Sequence, residues 1–164
     1  AVTVGNALAP LGLDQGGFFT PEVEAINPRE RADRIGFTLD ELAASIRVRT
    51  GLAVQAFRAG PAEDEFSHGD FVAALAASQS DPADAIIINF SRESLLRTGH
   101  RGGHFSPVGD FNAEEGMVLI LDVSTAPGRE KFWVSTEDIH AAMACVDTVS
   151  GRNRGWLVVR RPGE

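Results

Sequence analysis

Apolar positions in the first half of the chain recur mostly at helical spacing, and those in the second half run together or alternate as in strands. Residues 1–9 read as the end of a helix with no cap before Ala1, stopped by Pro10 and Gly12, so this helix is expected to begin ahead of the chain. Residues 14–21, with Gly16, Gly17 and Pro21, read as loop. Thr38 followed by Glu41 forms a capping-box pattern ahead of Leu39, Leu42, Ala43, Ile46 and Val48, and Gly51 ends that helix. Residues 53–58 alternate as a strand, with Val54, Ala56 and Arg58 facing one way and Ala53, Gln55 and Phe57 the other. A helix over 69–77 carries Phe71, Val72, Leu75 and Ala76 and breaks at Asp81-Pro82. The β-branched run 85–90 suits a buried strand. After a connection over 91–98 with room for a helical turn, 104–111 and 117–123 read as strands joined by a hairpin loop at 112–116. A helix over 135–145, capped by Ser135 or Thr136, precedes a last strand over 155–161. Helices first, then a mainly antiparallel sheet with one late helix, define an α+β layout.

The length of 164 residues suits one domain over 1–164, large enough to bury a core. Hydrophobic residues make up 43% and charged residues 23%, an ordinary balance for a soluble chain. With 15 Lys and Arg against 23 Asp and Glu, the net charge of -8 disfavours phosphate backbones and anionic membranes as partners. No apolar run approaches the roughly 20 residues of a membrane span, and no segment reads as a signal peptide. The single cysteine, Cys145, excludes an intrachain disulfide and a multi-cysteine metal site. It fits a reducing compartment, which makes the cytoplasm the expected location.

The stretch Gly102-Gly103-His104-Phe105-Ser106-Pro107 carries the strongest chemical signal. Paired glycines allow close approach of backbone or substrate, and a strand would fix the imidazole that follows. Asp122, a carboxylate within the apolar run 119–123, needs a hydrogen-bond partner if buried. Together, His104 and Asp122 fit the base and orienting acid of a nucleophile–base–acid triad. Taken alone, the pair fits a half-buried histidine and a carboxylate bonded to backbone amides better than it fits a triad. His68 reads as a helix-start residue, His100 as a loop residue and His140 as a helix-surface residue, and their spacing supports no metal cluster. Cys145 reads as a buried, inert thiol. Asp147 and Arg154 flank Gly151 in a turn, where they are either a turn carboxylate and a solvated base or a clamp for a zwitterion.

Beyond these residues, a longer pattern resembles the phytochelatin synthases, or glutathione γ-glutamylcysteinyltransferases. It comprises Gly103-His104-Phe105-Ser106-Pro107-Val108-Gly109, the run Met117-Val118-Leu119-Ile120-Leu121-Asp122-Val123, and Phe132-Trp133-Val134. Ala142-Met143, Arg154-Gly155-Trp156, Val54-Gln55-Ala56-Phe57-Arg58 and Asn6-Ala7-Leu8 extend it over nearly the whole chain. The resemblance implies a papain-like α+β fold, with His104 as general base, Asp122 orienting it, and Asp147, Arg154 and Gly103 binding the γ-glutamyl group. It implies a nucleophilic cysteine, in a Cys-Gly pair, heading the helix that runs into Asn6-Ala7-Leu8, with an oxyanion-hole glutamine upstream. Both would precede Ala1, so the 164 residues alone are expected to be inactive. Asp110 stands where a second glycine is usual, and Ser124-Thr125-Ala126 where a basic-aromatic stretch is usual.

The implied substrates are glutathione and γ-glutamyl peptides, and the implied reaction is γ-glutamylcysteinyl transfer or hydrolysis. No protein metal site is implied; Cd or Zn would enter as a glutathione thiolate complex. A homodimer is the oligomer to test for. The alternatives are a non-catalytic homologue keeping a γ-glutamyl peptide pocket and, less favoured by the Asp147–Arg154 turn, a general papain-like peptidase.

Overall fold

In the computed structural model of the chain, the described residues are 2–8, 12–97, 99, 102–122 and 131–162. Strand β2 (Asp84–Ser91) shows why the sheet forms where it does. Its run Ile86-Ile87-Ile88 is buried on both faces, and each fully buried isoleucine contributes about 1.5–3 kcal/mol relative to exposure. Strand β8 (Gly155–Arg160) pairs antiparallel on one side, Ile88 opposite Trp156, and β3 (Gly103–Asn112) on the other, Ile88 opposite Ser106. With β1 (Ala53–Arg58), β4 (Met117–Ile120) and β5 (Phe132–Ser135), the order is β1-β8-β2-β3-β4-β5, antiparallel throughout. The layout is therefore α+β, as the hydrophobic pattern predicts.

Strand alternation divides the apolar side chains between two cores. Ile86, Ile88 and Phe90 face α5 (His68–Ser80) and α7 (Thr136–Met143), packing with Phe71, Leu75, Ile139 and Met143. Ile87, Leu157, Val159 and Val54 face α1 (Val2–Leu8) and α4 (Leu39–Thr50), meeting Val4, Leu8, Leu42 and Ile46. Helix α4 begins at the predicted capping box: Glu41 N donates to Thr38 Oγ1 at 3.3 Å and Thr38 N to Glu41 Oε2 at 2.8 Å. Helix α5 uses the same device with Ser67 and Asp70, which starts it at His68 rather than Gly69.

Several elements differ from the sequence reading. Short helices α2 (Pro21–Ile26) and α3 (Arg29–Ile35) fill a stretch whose dense charges hide any apolar stripe. The connection after β2 contains α6 (Arg92–Leu96). The expected 117–123 strand ends at Ile120, and Val123 lies outside the described residues, as do Pro10, His100 and 124–126. β5 precedes α7, which spans Thr136–Met143 instead of 135–145. The late turn is a small hairpin of β6 (Val146–Asp147) and β7 (Arg152–Asn153). Among the described residues, no helix is long and apolar enough to cross a membrane.

Candidate active site

A one-residue irregularity brings His104 and Asp122 together. Strands β3 and β4 pair Asn112 with Met117, Phe111 with Val118 and Asp110 with Leu119, and then shift so that Val108 faces Ile120. Leu121 N donates to Pro107 O at 2.9 Å, continuing the shifted register. Carried one pair further, it sets Asp122 opposite Ser106, on the face that also holds His104. A bulge changes side-chain facing downstream of it. Without the shift at Gly109, Asp122 would oppose Pro107 and point away from His104. Gly109 is suited to this crowded point, since a Cβ there would lie 2.8 Å from Leu121 Cδ2.

The Asp122 side chain is 1% exposed and that of His104 18%. His104 Nε2 lies 2.6 Å from Asp122 Oδ1, and its ring stands edge-on to Phe90. Arg92, the first residue of α6, was not among the sequence candidates. Its Nη2 donates to both Asp122 oxygens, at 3.0 and 3.1 Å, and lies 2.9 Å from His104 Nε2. Arginine only donates, and one ring nitrogen cannot both donate to Asp122 and accept from Arg92. The shorter contact, to a carboxylate, assigns Nε2–H as donor to Asp122 and leaves Nδ1 as the basic nitrogen. Burial pushes the His104 pKa below its ordinary value, the Asp122 hydrogen bond raises it, the Arg92 charge lowers it further, and the Asp122 charge opposes. The net effect is downward, so this imidazole is neutral near neutral pH.

Arg154 is 3% exposed, which rules out the solvated-base reading. Its Nη1 donates to Cys145 O at 3.0 Å and Val146 O at 2.7 Å, and its Nη2 lies 3.9 Å from Asp147 Oδ1. Asp147 also accepts from Val149 N and Ser150 N, so it serves as a turn carboxylate while facing Arg154. These two residues, Asn89, Gly103 and Phe105 line a cavity of about 60 Å³ whose opposite wall is residues 35–37. Among the described residues, Arg154 Nε and Asn89 Oδ1, a donor and an acceptor, are buried there without a hydrogen-bond partner. Gly103 keeps the cavity open, because a Cβ on it would stand 2.8 Å from Arg154 Nε and 3.1 Å from Asn89 Oδ1. Thus Gly103, Asp147 and Arg154 converge, and His104 is the next residue along the strand. Asn89 was also missed; its signal is a polar side chain closing a buried apolar run.

The remaining candidates lie apart from this cluster. His68 Nε2 sits 2.9 Å from Thr136 Oγ1, and His140 Nε2 donates to Phe66 O at 3.1 Å, joining α5 to α7. Cys145 is half-buried instead of buried, because it lies past the end of α7, and its thiol points to Ala141 O at 3.6 Å. Among the described residues, no three His, Cys, Asp or Glu side chains converge as a metal site.

The fold and site therefore define an α+β protein with a half-buried histidine on a buried aspartate and, starting one residue earlier on the same strand, a cavity lined by opposite charges. The family model described as phytochelatin synthase matches residues 15–156, and the chain belongs to that family. It is 32% identical over 142 residues to glutathione gamma-glutamylcysteinyltransferase 3 of Lotus japonicus, covering 85% of this chain and 27% of that protein. Glutathione gamma-glutamylcysteinyltransferase 2 of Arabidopsis thaliana is 34% identical over 116 residues, covering 69% and 24%. The Schizosaccharomyces pombe glutathione gamma-glutamylcysteinyltransferase is 39% identical over 75 residues, covering 44% and 17%. The chain thus spans about a quarter of the length of the first two relatives.

Proposed function

We propose that residues 1–164 form a single papain-like domain that binds the γ-glutamyl end of glutathione and supplies the base and its orienting acid for γ-glutamylcysteinyl transfer or hydrolysis. The observation that supports this reading is that Gly103, which lines the cavity with Asp147 and Arg154, directly precedes His104, the partner of Asp122. A γ-glutamyl group presents a free ammonium and a free carboxylate. Asp147 would take the ammonium and Arg154 Nε the carboxylate, with Asn89 Oδ1 as a further acceptor.

The nucleophile in this proposal is a cysteine at the head of α1, ahead of Ala1. Its thiolate attacks the carbonyl carbon of the Cys–Gly bond, and a tetrahedral oxyanion forms. The C–N bond breaks as His104, carrying the thiol's proton, hands it to the departing glycine nitrogen. Water or the amine of a second glutathione then attacks the thioester, with His104 removing its proton. Asp122 holds the ring in the tautomer this requires. A heavy-metal ion enters as part of a glutathione thiolate substrate.

The second reading is a binding homologue that keeps the γ-glutamyl peptide pocket. Cys145 lies past α7 with its thiol turned to Ala141 O, and it is not the thiol that His104 serves in the enzyme reading. Ligand-detected NMR with γ-Glu-Cys-Gly and α-Glu-Cys-Gly tests the pocket that both readings share. Binding is expected for the γ-linked peptide and is lost in Arg154→Ala; equal binding of the two peptides would overturn it. Glycine release separates the readings: a version extended upstream through a Cys-Gly pair releases glycine if the enzyme reading holds, and the 164-residue chain releases none.

A further inference from the structure

Arg58 is a buried cation with no part in the chemistry above. Its side chain is 6% exposed, on the β1 face that carries Val54 and Ala56. Nη2 donates to Asp40 Oδ2 at 2.5 Å, and Nη1 donates to Asn153 O at 2.6 Å. Asp40 lies in the first turn of α4, three residues after the Phe37 that lines the cavity. Asn153 directly precedes Arg154. The backbone there is clamped twice more: Ala59 N donates to Arg154 O at 2.9 Å, and Asn153 Nδ2 donates to Ala59 O at 3.0 Å. One guanidinium therefore joins the chain just past one wall of the cavity to the chain just before its opposite wall.

We infer that Arg58 is a positioning residue: the tie Asp40–Arg58–Asn153 sets the gap between the 35–37 wall and Arg154, and so the width of the zwitterion pocket. Both bonds leave from one planar fork, so the two attachment points are held at a fixed separation. Lysine offers a single ammonium on a flexible stem and cannot reproduce that spacing. Asp40 is 62% exposed, so the tie is reached from solvent at the α4 end and shielded at the Asn153 end. Arg152 adds a looser contact, 4.0 Å from Asp40 and 3.1 Å from Asp64 on the exposed side. The consequence for ligand binding rests on the γ-glutamyl reading of the pocket; the brace itself rests on the geometry alone.

The test compares Arg58→Lys, Asp40→Asn and the control Asp64→Asn in the 164-residue chain. The readouts are the Arg154 Nε–H NMR cross-peak, the melting temperature, and the glutathione dissociation constant by calorimetry. Arg58→Lys is expected to move the Arg154 cross-peak and weaken glutathione about tenfold or more, the loss of one hydrogen bond to a charged group. Asp40→Asn is expected to move the same peak to a smaller extent, and Asp64→Asn to leave it in place. An Arg154 peak unmoved in folded Arg58→Lys and Asp40→Asn overturns the inference; if Arg58→Lys does not fold, Asp40→Asn decides. If wild type does not bind glutathione, the pocket reading fails, and the Arg154 peak still decides the brace.

Discussion

Replacing Asp122 by Asn keeps the side chain's volume and removes its charge from between Arg92 and His104. The carboxylate is 1% exposed and accepts from Arg92 at both oxygens and from His104 at 2.6 Å. Breaking a fully buried ion pair costs about 3–5 kcal/mol. Arg92 and His104 keep 19% and 18% of their side-chain surface, so water recovers part of that cost and the expected loss is about 2–3 kcal/mol. A domain holding about 5–15 kcal/mol survives it. Urea unfolding followed by Trp fluorescence measures the loss, and the His104 Cε1–H signal, assigned through His104→Gln, measures the titration.

The Asp122 hydrogen bond and charge both hold the His104 pKa up against burial and Arg92, so the Asn variant titrates lower still. The sign of the stability change follows. A histidine depressed below about 6.5 binds fewer protons folded than unfolded, so its contribution is present above 6.5 and is lost as pH falls through the folded value. The variant therefore loses stability over a wider acid range than wild type. Unchanged stability and an unchanged titration would refute the couple. A stability loss with the His104 titration unmoved would mean that Asp122 serves Arg92 alone.

Gly103→Ala is expected to abolish glutathione binding in a folded protein, since its methyl would meet Arg154 Nε at 2.8 Å; calorimetry beside a thermal melt checks both halves. Arg92→Gln removes a charge that lowers the His104 pKa, so the His104 signal is expected to titrate at higher pH than in wild type. Deleting Gly109 removes the extra residue of the bulge and leaves Ser106 opposite Asp122, so the His104 titration is expected to stay as in wild type; a titration that falls as in Asp122→Asn counts against the register argument.

What was legible in the sequence follows from the range over which each signal acts. The capping box of Thr38 and Glu41 is local, and α4 starts at Leu39 as the pattern requires. The run Ile86-Ile87-Ile88 can satisfy its burial only between two layers, and both layers are there. His104 and Asp122 were legible as a pair because a hairpin joins their strands. The bulge was not: one inserted residue leaves both flanking stretches apolar and alternating, so straight and shifted registers look alike in the sequence. Asp110, noted only as an odd residue, lies within that shift. Arg92 and Asn89 were missed because neither belongs to a local motif; they matter only through what folding brings against them. The charge-dense helices α2 and α3 lack the apolar stripe that would mark them, and α3 buries no residue fully.

The electrostatics around His104 bear on the division of labour in the proposed reaction. One carboxylate and one guanidinium flank the imidazole and act on it in opposite directions, and burial, the largest influence, holds the ring neutral. A neutral Nδ1 is ready to accept a proton, as a base that activates a thiol must be. A thiolate formed beside the ring would add a negative charge and raise the His104 pKa, stabilising the imidazolium that must later protonate the departing glycine nitrogen. Arg92 acts against that imidazolium while steadying Asp122, so it favours the return of the proton to the leaving group. On this account the arginine sets how readily His104 releases its proton. In the version extended through Cys-Gly, Arg92→Gln is therefore expected to shift the acidic limb of the pH–rate profile upward, in step with His104 in the NMR titration. A profile that stays in place while the NMR titration moves would separate the histidine from the rate and overturn its role as base.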